Sequence, residues 1–447
     1  MWRNFRVTVL VSLKLPTPES RLRPSGAKGT HLNPKDLHPG AVAAIDQDWI
    51  AQARRLTPLL DAAGPRIDAD KRVPPEVLDA LHEAKMFRML LPRSQGGAEL
   101  DLPAFFQVIL ALAEGDASVA WSVAQSCACS MSAAYMEPGA AAELFGDPRA
   151  VLAWGFPQGP CRAVAVDGGW RVSGTWGFGS GSRHATWLGG HCQIIDANGA
   201  PFKKPDGTPA ERTALFPRSA VTIVDGKWNV IGLRGTGSDT YAVTDLFVPA
   251  EHCVVPRAVG RDLQRPEDAA LDVETERRET GPLYRFSPTA MYQAGFSAVA
   301  QGLARAMLDS FVALANEKTP SGAGVMLRDN PIIQNRVAIS EARLAAMHAW
   351  LKQSVSESWH GCVATGKHAF GHRVTMRLAS TYAIHEAAKV SEDAYADAGA
   401  TAIFECNPFE RRLRDMHAVT QQVQANPMHL QTAGQYYLGM KPSTRFI

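Results

Sequence analysis

The stretch GTWGFGSGSRHATW, residues 174–187, combines residue types that could do chemistry on a bound small molecule. It interleaves glycines and small hydroxyls with aromatic rings, and it includes an Arg183-His184 pair. Glycine lets a backbone approach a ligand closely because it has no side chain. A backbone of this kind, flanked by aromatic rings, could lie against a flat aromatic ligand. The other interpretation is a tight β-turn region in which Trp176, Phe178 and Trp187 form a small core of their own.

Motifs for several other chemistries are missing from the sequence. There is no G-x-x-x-x-G-K-[ST] phosphate loop, no H-E-x-x-H metal motif and no G-x-S-x-G nucleophile turn. GLRGTG (232–237) lies among short β-branched runs, so it does not match a dinucleotide fingerprint, which opens a helix. Hydrolase chemistry therefore lacks support, and no metal site is predicted.

Length, charge and cysteine usage limit the class of protein further. A chain of 447 residues is too long for one ordinary core, so two or three substructures are expected. The 46 basic and 44 acidic residues give a net charge of +2, which offers no argument for a nucleic acid or an anionic membrane as partner. The seven cysteines are odd in number and scattered, which is typical of reduced thiols in a cytoplasmic protein.

The texture of the chain changes twice, which predicts three structured regions. Residues 1–40 are predicted to be a flexible leader, because FRVTVLVSL (5–13) is too short to span a membrane and the rest is rich in Pro, Gly, Ser and Arg. Residues 41–149 have a helical period, first seen at Ile45, Trp49, Ala53, Leu56 and Leu60. Asp101 is suited to cap a later helix, and a nearly uncharged helix from Ser118 to about Tyr135 is expected to be buried or to line a ligand cavity.

Short β-branched runs with Gly and Asp turns follow, and then helices return. Residues 150–255 are predicted to form a central β-barrel domain, with a hairpin around Asp167-Gly168-Gly169. Residues 256–285 are predicted to be a loop, and residues 286–447 a bundle of four helices of about 20–30 residues each. Asn330-Pro331 is the cap and first turn of one of these helices.

Five motifs, in this order, resemble the acyl-CoA dehydrogenase superfamily of flavoproteins, and within it the branch of flavin-dependent hydroxylases. They are LLPRSQGG (90–97), GWRVSGTWGFGSGSRHATW (169–187), GLRGTGSDTYAVTDLFVP (232–249), AGATAIF (398–404) and NPFERRLRD (407–415). The resemblance implies a mainly α fold with an N-terminal helical domain, a central β-barrel and a C-terminal four-helix bundle. It also implies a homotetramer with a flavin, FAD or FMN, between barrel and bundle.

The resemblance assigns roles to individual residues. Ser180 falls where the family has a Ser or Thr that donates a hydrogen bond to the N5 edge of the flavin, and Phe178 would pack near the ring. Trp154 and Phe156 match the strand that faces the flavin pyrimidine. Gly399 matches a turn at which a flavin phosphate or ADP group approaches the bundle. His184 could carry a proton near the flavin, or it could serve to hold the local structure.

The sequence departs from the family at the groups that would decide the reaction. The carboxylate base of the dehydrogenases follows the Asp of an RD pair by eight residues, and that position is Val423 here; the alternative position falls near Tyr292. A dehydrogenase without its base would be slower by orders of magnitude, so acyl-CoA oxidation is disfavoured. The hydroxylases do not need that base, although their two usual histidines align with Cys129 and Gln422.

The favoured function is therefore the oxygenase component of a two-component monooxygenase. It would receive reduced flavin from a separate reductase and use O2 to hydroxylate an apolar or aromatic small molecule in a dry pocket. An acyl-CoA dehydrogenase with a displaced base is the alternative within the same fold. A flavin-free binding or scaffold protein is the alternative outside enzymes.

Overall fold

The structure is a computed structural model, and it describes residues 39–203, 207, 209–224, 226–254, 277–322 and 324–442. The chain divides into two compact units, residues 1–44 and residues 45–447. The first unit contributes only the beginning of one helix to the described residues. The predicted leader over residues 1–40 and most of the predicted loop over 256–285 lie outside the described residues.

The N-terminal region is helical. Its helices are α1 (Pro39–Asp70), α2 (Pro75–Glu83), α3 (Leu102–Gly115), α4 (Ala117–Ser130) and α5 (Pro138–Phe145). The predicted cap of α3 is confirmed, because the Asp101 side chain accepts a hydrogen bond of 2.7 Å from Ala104 N. Asp116 caps α4 in the same way, at 3.0 Å from Val119 N. All but one of the α4 residues are buried, as its lack of charge predicts.

The described residues of the central region form one mixed sheet of nine strands. The strands are β1 (Leu152–Trp154), β2 (Phe156–Pro157), β3 (Arg162–Val166), β4 (Gly169–Gly179), β5 (Trp187–Ile195), β6 (Glu211–Pro217), β7 (Thr222–Val224), β8 (Asp239–Pro249) and β9 (Cys253–Val254). Their hydrogen-bonded order is β7-β8-β4-β3-β5-β6-β9, with β1 beside β5 and β2 beside β4. The predicted hairpin is confirmed as β3–β4, where Val166 pairs with Gly169.

The C-terminal region is helical again, with α6 (Pro288–Glu317), α7 (Pro331–Thr365), α8 (Phe370–Ala398), α9 (Phe409–Thr420) and α10 (Met428–Tyr437). Asn330 caps α7 as predicted, accepting from Ile332 N at 2.9 Å. The expectation of four helices of similar length is wrong. Three have 29 to 35 residues, whereas α9 and α10 have 12 and 10. Pro408 and Pro427 stand directly before these short helices, at positions where proline cannot extend a preceding helix.

Helix α6 occupies the centre of this packing. It packs against α3, α4 and α8. Among the described residues it is the one helix long and apolar enough to cross a membrane, and 67% of its most apolar window is buried inside the protein. A buried helix of this composition is a core helix of the bundle.

Buried charges tie α9 to the N-terminal helices. Arg411 and Asp116 form an ion pair of 3.1 Å, and both side chains are almost fully buried. Arg414 binds Asp68 on α1 and donates to the carbonyl oxygen of Ile231 at 2.6 Å. The Asp415 carboxylate accepts a hydrogen bond of 2.6 Å from Leu233 N. These contacts fix the loop around residues 231–238 against α9.

Candidate functional site

A cleft with a cavity volume of about 550 Å³ lies where the sheet, α4, α6 and the segment after α9 meet. Most of its wall is aromatic or aliphatic, with a few neutral polar groups. Its aromatic lining residues are Trp121, Trp154, Phe156, Phe178, His191, Trp228, Tyr292, Phe296 and His417. The predicted residues Trp154, Phe156, Phe178 and Ser180 all line this cleft.

A pair of parallel rings forms one wall of the cleft. The Trp121 and Phe296 rings are stacked with centroids 3.7 Å apart and an angle of 3° between their planes. Tyr292 is also parallel to Phe296, at 5.4 Å and 11°. Trp121 and Gln125 lie four residues apart on α4, and Tyr292 and Phe296 lie four residues apart on α6, so each pair shares one helix face. The wall is therefore held by two packed helices and presents a flat apolar surface.

A strained strand end supplies Phe178 to the cleft. The pairing of β4 with β8 is irregular between Trp176 and Gly179, as at a β-bulge. Phe178 has a φ of 59°, which is unfavourable for a residue with a bulky side chain. Its ring is 60% exposed and meets Trp228 edge to face, with centroids 6.3 Å apart. The bulge turns an apolar ring toward the cleft instead of into the core, and strain of this kind is typical of ligand sites.

The strands β1 and β2 place Trp154 and Phe156 around a glycine that tolerates no side chain. A Cβ at Gly155 would clash with the carbonyl oxygen of Gly177. Gly155 N donates to the Tyr241 hydroxyl at 2.9 Å. The Trp154 indole N–H donates to the Tyr292 hydroxyl at 3.2 Å, which links β1 to α6. Phe156 remains half-exposed at the mouth of the cleft.

Ser180 is buried, and its hydroxyl belongs to a network. Its Oγ accepts from the Trp121 indole N–H at 3.1 Å and lies 2.7 Å from Ser238 Oγ. Ser238 Oγ lies 2.7 Å from Thr236 Oγ1, which donates to the carbonyl oxygen of Leu233 at 2.7 Å. Ser180, Ser238 and Thr236 all line the cleft. We call these three side chains the hydroxyl relay.

Two titratable groups in the wall are held neutral. Burial lowers the pKa of His191 to about 4, and its Nδ1 lies 2.7 Å from the Thr213 hydroxyl. Burial also raises the pKa of Tyr292 well above its ordinary value. The sequence reasoning did not select His191, Trp121, Gln125 or Phe296 as site residues. The four-residue spacing on uncharged α4 and on the uncharged first half of α6 was the signal available for the last three.

Neither aspartate nor glutamate lines the cleft in the part of the chain that the structure describes. Val423, at the position of the dehydrogenase base, is a lining residue between Gln422 and Gln424. His429 supports this segment, because its Nε2 lies 2.7 Å from the Val423 carbonyl oxygen. Of the two positions expected for hydroxylase histidines, Gln422 lines the cleft, whereas Cys129 is buried and lies outside the lining set. His417 does line it.

His184 is not brought to the cleft. It follows the turn after β4, and its ring lies 5.5 Å from that of Phe87. Burial and the nearby His82 lower its pKa to about 4, so it is neutral at pH 7. No described residue makes a hydrogen bond to its Nε2. This environment fits the structural interpretation of His184 and does not bring the imidazole to a ligand in the cleft.

Gly399 also lies apart from the cleft, at the C-terminal end of α8. Its φ of 59° and ψ of −144° mark a sharp change of direction between α8 and the turn that follows. Lys318 bridges this turn, with Nζ 2.7 Å from the Ala398 carbonyl oxygen and 2.8 Å from Thr401 Oγ1. The turn therefore carries a cation, and its role toward a phosphate group stays a prediction.

Two family models match the chain. The model described as the N-terminal domain of acyl-CoA dehydrogenase matches residues 55–139, and the model of the C-terminal domain matches residues 294–427. The strands between them lie outside both matches. The two matches fall on the two helical regions that surround the cleft.

Curated relatives and a solved structure match most of the chain. An indole-3-acetate monooxygenase of Pseudomonas putida is 29% identical over 377 residues, which are 84% of this chain and 90% of the relative. The oxygenase subunit HsaA of a flavin-dependent monooxygenase from Rhodococcus jostii RHA1 is 27% identical, over 81% of this chain and 91% of the relative. The crystal structure of the HsaA monooxygenase from M. tuberculosis superposes with a TM-score of 0.77 at 26% identity, over 90% of this chain and all of the other.

Proposed function

The chain belongs to the acyl-CoA dehydrogenase superfamily of flavoproteins, and from this premise we propose that it is the oxygenase component of a two-component, flavin-dependent monooxygenase. It is a flavin-dependent enzyme, as predicted, because its relatives are flavin-dependent monooxygenases. The proposed substrate is an apolar or aromatic small molecule.

The observation that carries the proposal is the lack of a carboxylate among the described residues of the cleft. An acyl-CoA dehydrogenase must remove a proton next to a thioester, which requires a base within hydrogen-bond reach. Val423 stands where that base is expected, and burial lowers the pKa of His191 to about 4, which makes it a weak base. The nearest acid on α9, Asp415, is committed to Leu233 N and to the buried charge cluster. The site therefore favours a reaction that needs no carboxylate.

The residues present fit a flavin ring. The ring is flat, mostly apolar on its faces and polar along one edge, and the cleft offers parallel aromatic rings together with hydroxyl and indole groups. Trp121, Phe296 and Phe178 would contact its faces, and Ser180 would meet its polar edge. FAD and FMN carry the same ring.

When bound in reduced form, the flavin supplies the electrons that activate O2 for transfer of one oxygen atom to the substrate. The chain's own residues exclude water from this reaction through the aromatic walls. His191 and Tyr292 are both uncharged near pH 7, so neither brings a charge to the apolar cavity. The Ser180 hydroxyl holds a hydrogen bond at the reacting edge.

The proposal includes three features beyond the cleft. A separate flavin reductase supplies the reduced flavin, in line with the description of the HsaA relative as an oxygenase subunit. A homotetramer would cover exposed apolar side chains near the C-terminus, which include Ile403, Phe404 and Leu438. A cytoplasmic location agrees with seven free cysteines, six of them buried.

The test mixes purified protein with reduced FMN or FAD, 18O2 and indole-3-acetate, with an acyl-CoA such as butyryl-CoA in a parallel assay. We expect a hydroxylated product with one labelled oxygen and no oxidation of the acyl-CoA. Acyl-CoA oxidation would establish the dehydrogenase instead. If the protein binds neither flavin, the remaining interpretation is a flavin-free scaffold protein. Light scattering of the same sample tests the homotetramer.

Two substitutions on one helix locate the flavin. Phe296→Leu removes a ring from the wall of the cleft, whereas Phe311→Leu removes an equally buried ring farther along α6 and outside it. We expect flavin affinity to fall at least about fivefold in the first variant, because an aromatic pair contributes roughly 1 kcal/mol beyond its area. The second should bind like the wild type. Equal losses in both would place the flavin elsewhere.

A further inference from the structure

The hydroxyl relay of Ser180, Ser238 and Thr236 has one proton direction as long as Thr236 donates to the Leu233 carbonyl oxygen. Thr236 Oγ1 donates its only hydrogen to the Leu233 carbonyl oxygen, so it must accept from Ser238. Ser238 then has no hydrogen left for Ser180 and must accept from it. In this direction every hydroxyl hydrogen of the relay is used by the next acceptor, and Ser180 offers a ligand only a lone pair.

The opposite direction is also available to the same atoms. If Thr236 donates to Ser238 and Ser238 donates to Ser180, the Ser180 hydrogen is free to point into the cleft. The Leu233 carbonyl oxygen does not lose all its partners, because Thr236 N donates to it at 3.2 Å in either case. The Trp121 indole N–H donates to Ser180 in both directions. Reversal thus leaves no buried donor or carbonyl without a partner once a ligand accepts from Ser180.

We propose that Ser238 and Thr236 are positioning residues, and that the relay reverses its proton direction with the oxidation state of the flavin. The inference rests on the proposed function, and on the N5 edge of the flavin meeting Ser180. The N5 atom of an oxidised flavin is a hydrogen-bond acceptor, and in the reduced flavin it carries a hydrogen and is a donor. Ser180 would donate to the first and accept from the second.

With oxidised and with reduced flavin alike, the hydrogen and both lone pairs of Ser180 have a partner. This depends on Ser238 and Thr236. With oxidised flavin it accepts from Trp121 and Ser238 and donates to the ligand. With reduced flavin it accepts from Trp121 and from the ligand and donates to Ser238. A serine has one hydrogen and two lone pairs, so each state uses all three. The protein can therefore hold both forms of the flavin at one hydroxyl without moving its backbone.

Removing either partner should favour the oxidised flavin. In Ser238→Ala the Ser180 hydrogen has no acceptor when reduced flavin is bound, and in Thr236→Val the Ser238 hydrogen has none. With oxidised flavin the same substitutions leave only a lone pair unused. A buried donor without a partner costs more than an unused lone pair. Each variant should therefore bind reduced flavin less tightly, relative to oxidised flavin, than the wild type does.

The experiment measures dissociation constants of oxidised FMN and FAD, and of dithionite-reduced FMN and FAD without oxygen. We expect the ratio of affinities to shift toward the oxidised form by about five- to tenfold in Ser238→Ala and Thr236→Val. That shift corresponds to a bound-flavin potential lower by about 20–30 mV. The double variant should shift by less than the sum, because both substitutions interrupt one relay.

Ser182→Ala is the matched control. Ser182 is fully buried in the same turn and donates to the Gly237 carbonyl oxygen at 3.0 Å, but it lies outside the cleft. Its loss should lower the thermal midpoint without changing the affinity ratio. A ratio that moves equally in all three variants, or moves toward the reduced form, overturns the relay. If the wild type binds neither form, the proposed function itself fails, which is a separate outcome. Should Ser238→Ala not fold, Thr236→Val alone decides.

Discussion

The Ser180 hydroxyl is the polar contact whose loss has the most specific consequence. Ser180→Ala would leave the Trp121 indole N–H and one Ser238 contact without their partner, so we expect stability to fall by about 1–3 kcal/mol. Flavin affinity should fall by roughly tenfold or less, the cost of about one net hydrogen bond. Product formation per flavin oxidised should fall further, because the contact acts in the reacting state. Calorimetry measures the stability, titration the flavin affinity, and product analysis the yield per flavin oxidised. An unchanged yield would show that the hydroxyl has only a structural role.

A substitution of Phe178 should change stability and flavin affinity in different directions. Phe178→Gly relieves a φ of 59° and removes a ring that is mostly exposed, so we expect the thermal midpoint to stay the same or rise. Flavin binding should weaken, because the ring lines the cleft. Phe247→Gly is the control: that ring is also exposed, on strand β8 and outside the cleft, and its residue does not have a positive φ. It should lose stability and keep its flavin affinity. If Phe178→Gly is less stable than the wild type, the packing of the ring contributes more to stability than the strained φ costs.

Helix α9 holds the loop around residues 231–238 through Asp415, and this contact depends on pH. Burial, with Asp116 and Asp68 nearby, raises the pKa of Asp415 to about 7, against the opposing effect of Arg411. The folded protein thus binds a proton that the unfolded chain releases near pH 4. This contribution is present at low pH and is lost, at about 1.4 kcal/mol per pH unit, as the pH rises toward 7.

Asp415→Asn removes that titration and keeps an oxygen for Leu233 N. We therefore expect the unfolding free energy of the variant, relative to the wild type, to rise between pH 5 and pH 7 and to level off above. Denaturant unfolding at several pH values measures it. Asp61→Asn is a suitable control, because that carboxylate is half-exposed and pairs with Arg412 on the same helix. A difference that does not change with pH would contradict the raised pKa.

Helix starts and turns were predictable where a few neighbouring residues determine them. The caps at Asp101 and Asn330 and the hairpin at Asp167-Gly168 depend on a few neighbouring residues, and all three are present. The lengths of α9 and α10 were not predicted. The alanine-rich and polar runs of this region suggested long helices, whereas the two helices are short and begin directly after Pro408 and Pro427. The buried Asp116–Arg411 pair joins residues far apart in the chain, and no local pattern announces it.

For the whole molecule, the fold class predicted from the order of helical, β and helical regions is confirmed. The site was only partly predictable. Trp154, Phe156, Phe178 and Ser180 were selected through motifs and lie in one cleft, but their roles there stay predictions. Trp121 and Phe296 face each other only because α4 packs on α6, which is a tertiary fact. His184 is close to Ser180 in sequence, yet the turn after β4 directs it to Phe87 instead.

The pH stability of the whole chain should be limited on the acid side by its buried histidines. Burial lowers the pKa of His184, His191 and His429 to about 4, and that of His368 to about 3. In the unfolded chain these groups titrate near 6.5, so unfolding takes up protons once the pH falls below that value. Their stabilising contribution is complete above pH 6.5 and is lost progressively toward pH 4. Each group contributes a slope of up to about 1.4 kcal/mol per pH unit.

We therefore expect the thermal midpoint to change little between pH 7 and 8 and to fall steeply from pH 6.5 to 5. Four carboxyls whose pKa is raised by burial oppose this trend, against six histidines whose pKa is lowered by burial; the carboxyls are Glu114, Asp116, Asp397 and Asp415. His184→Gln removes one titrating group outside the cleft, so its midpoint should fall less steeply with acid, even if it starts lower at pH 7. His417→Gln is the control, since that side chain is exposed. A midpoint that is flat from pH 7 to 5, or the same slope in His184→Gln as in the wild type, would show that these imidazoles are not held neutral by the fold.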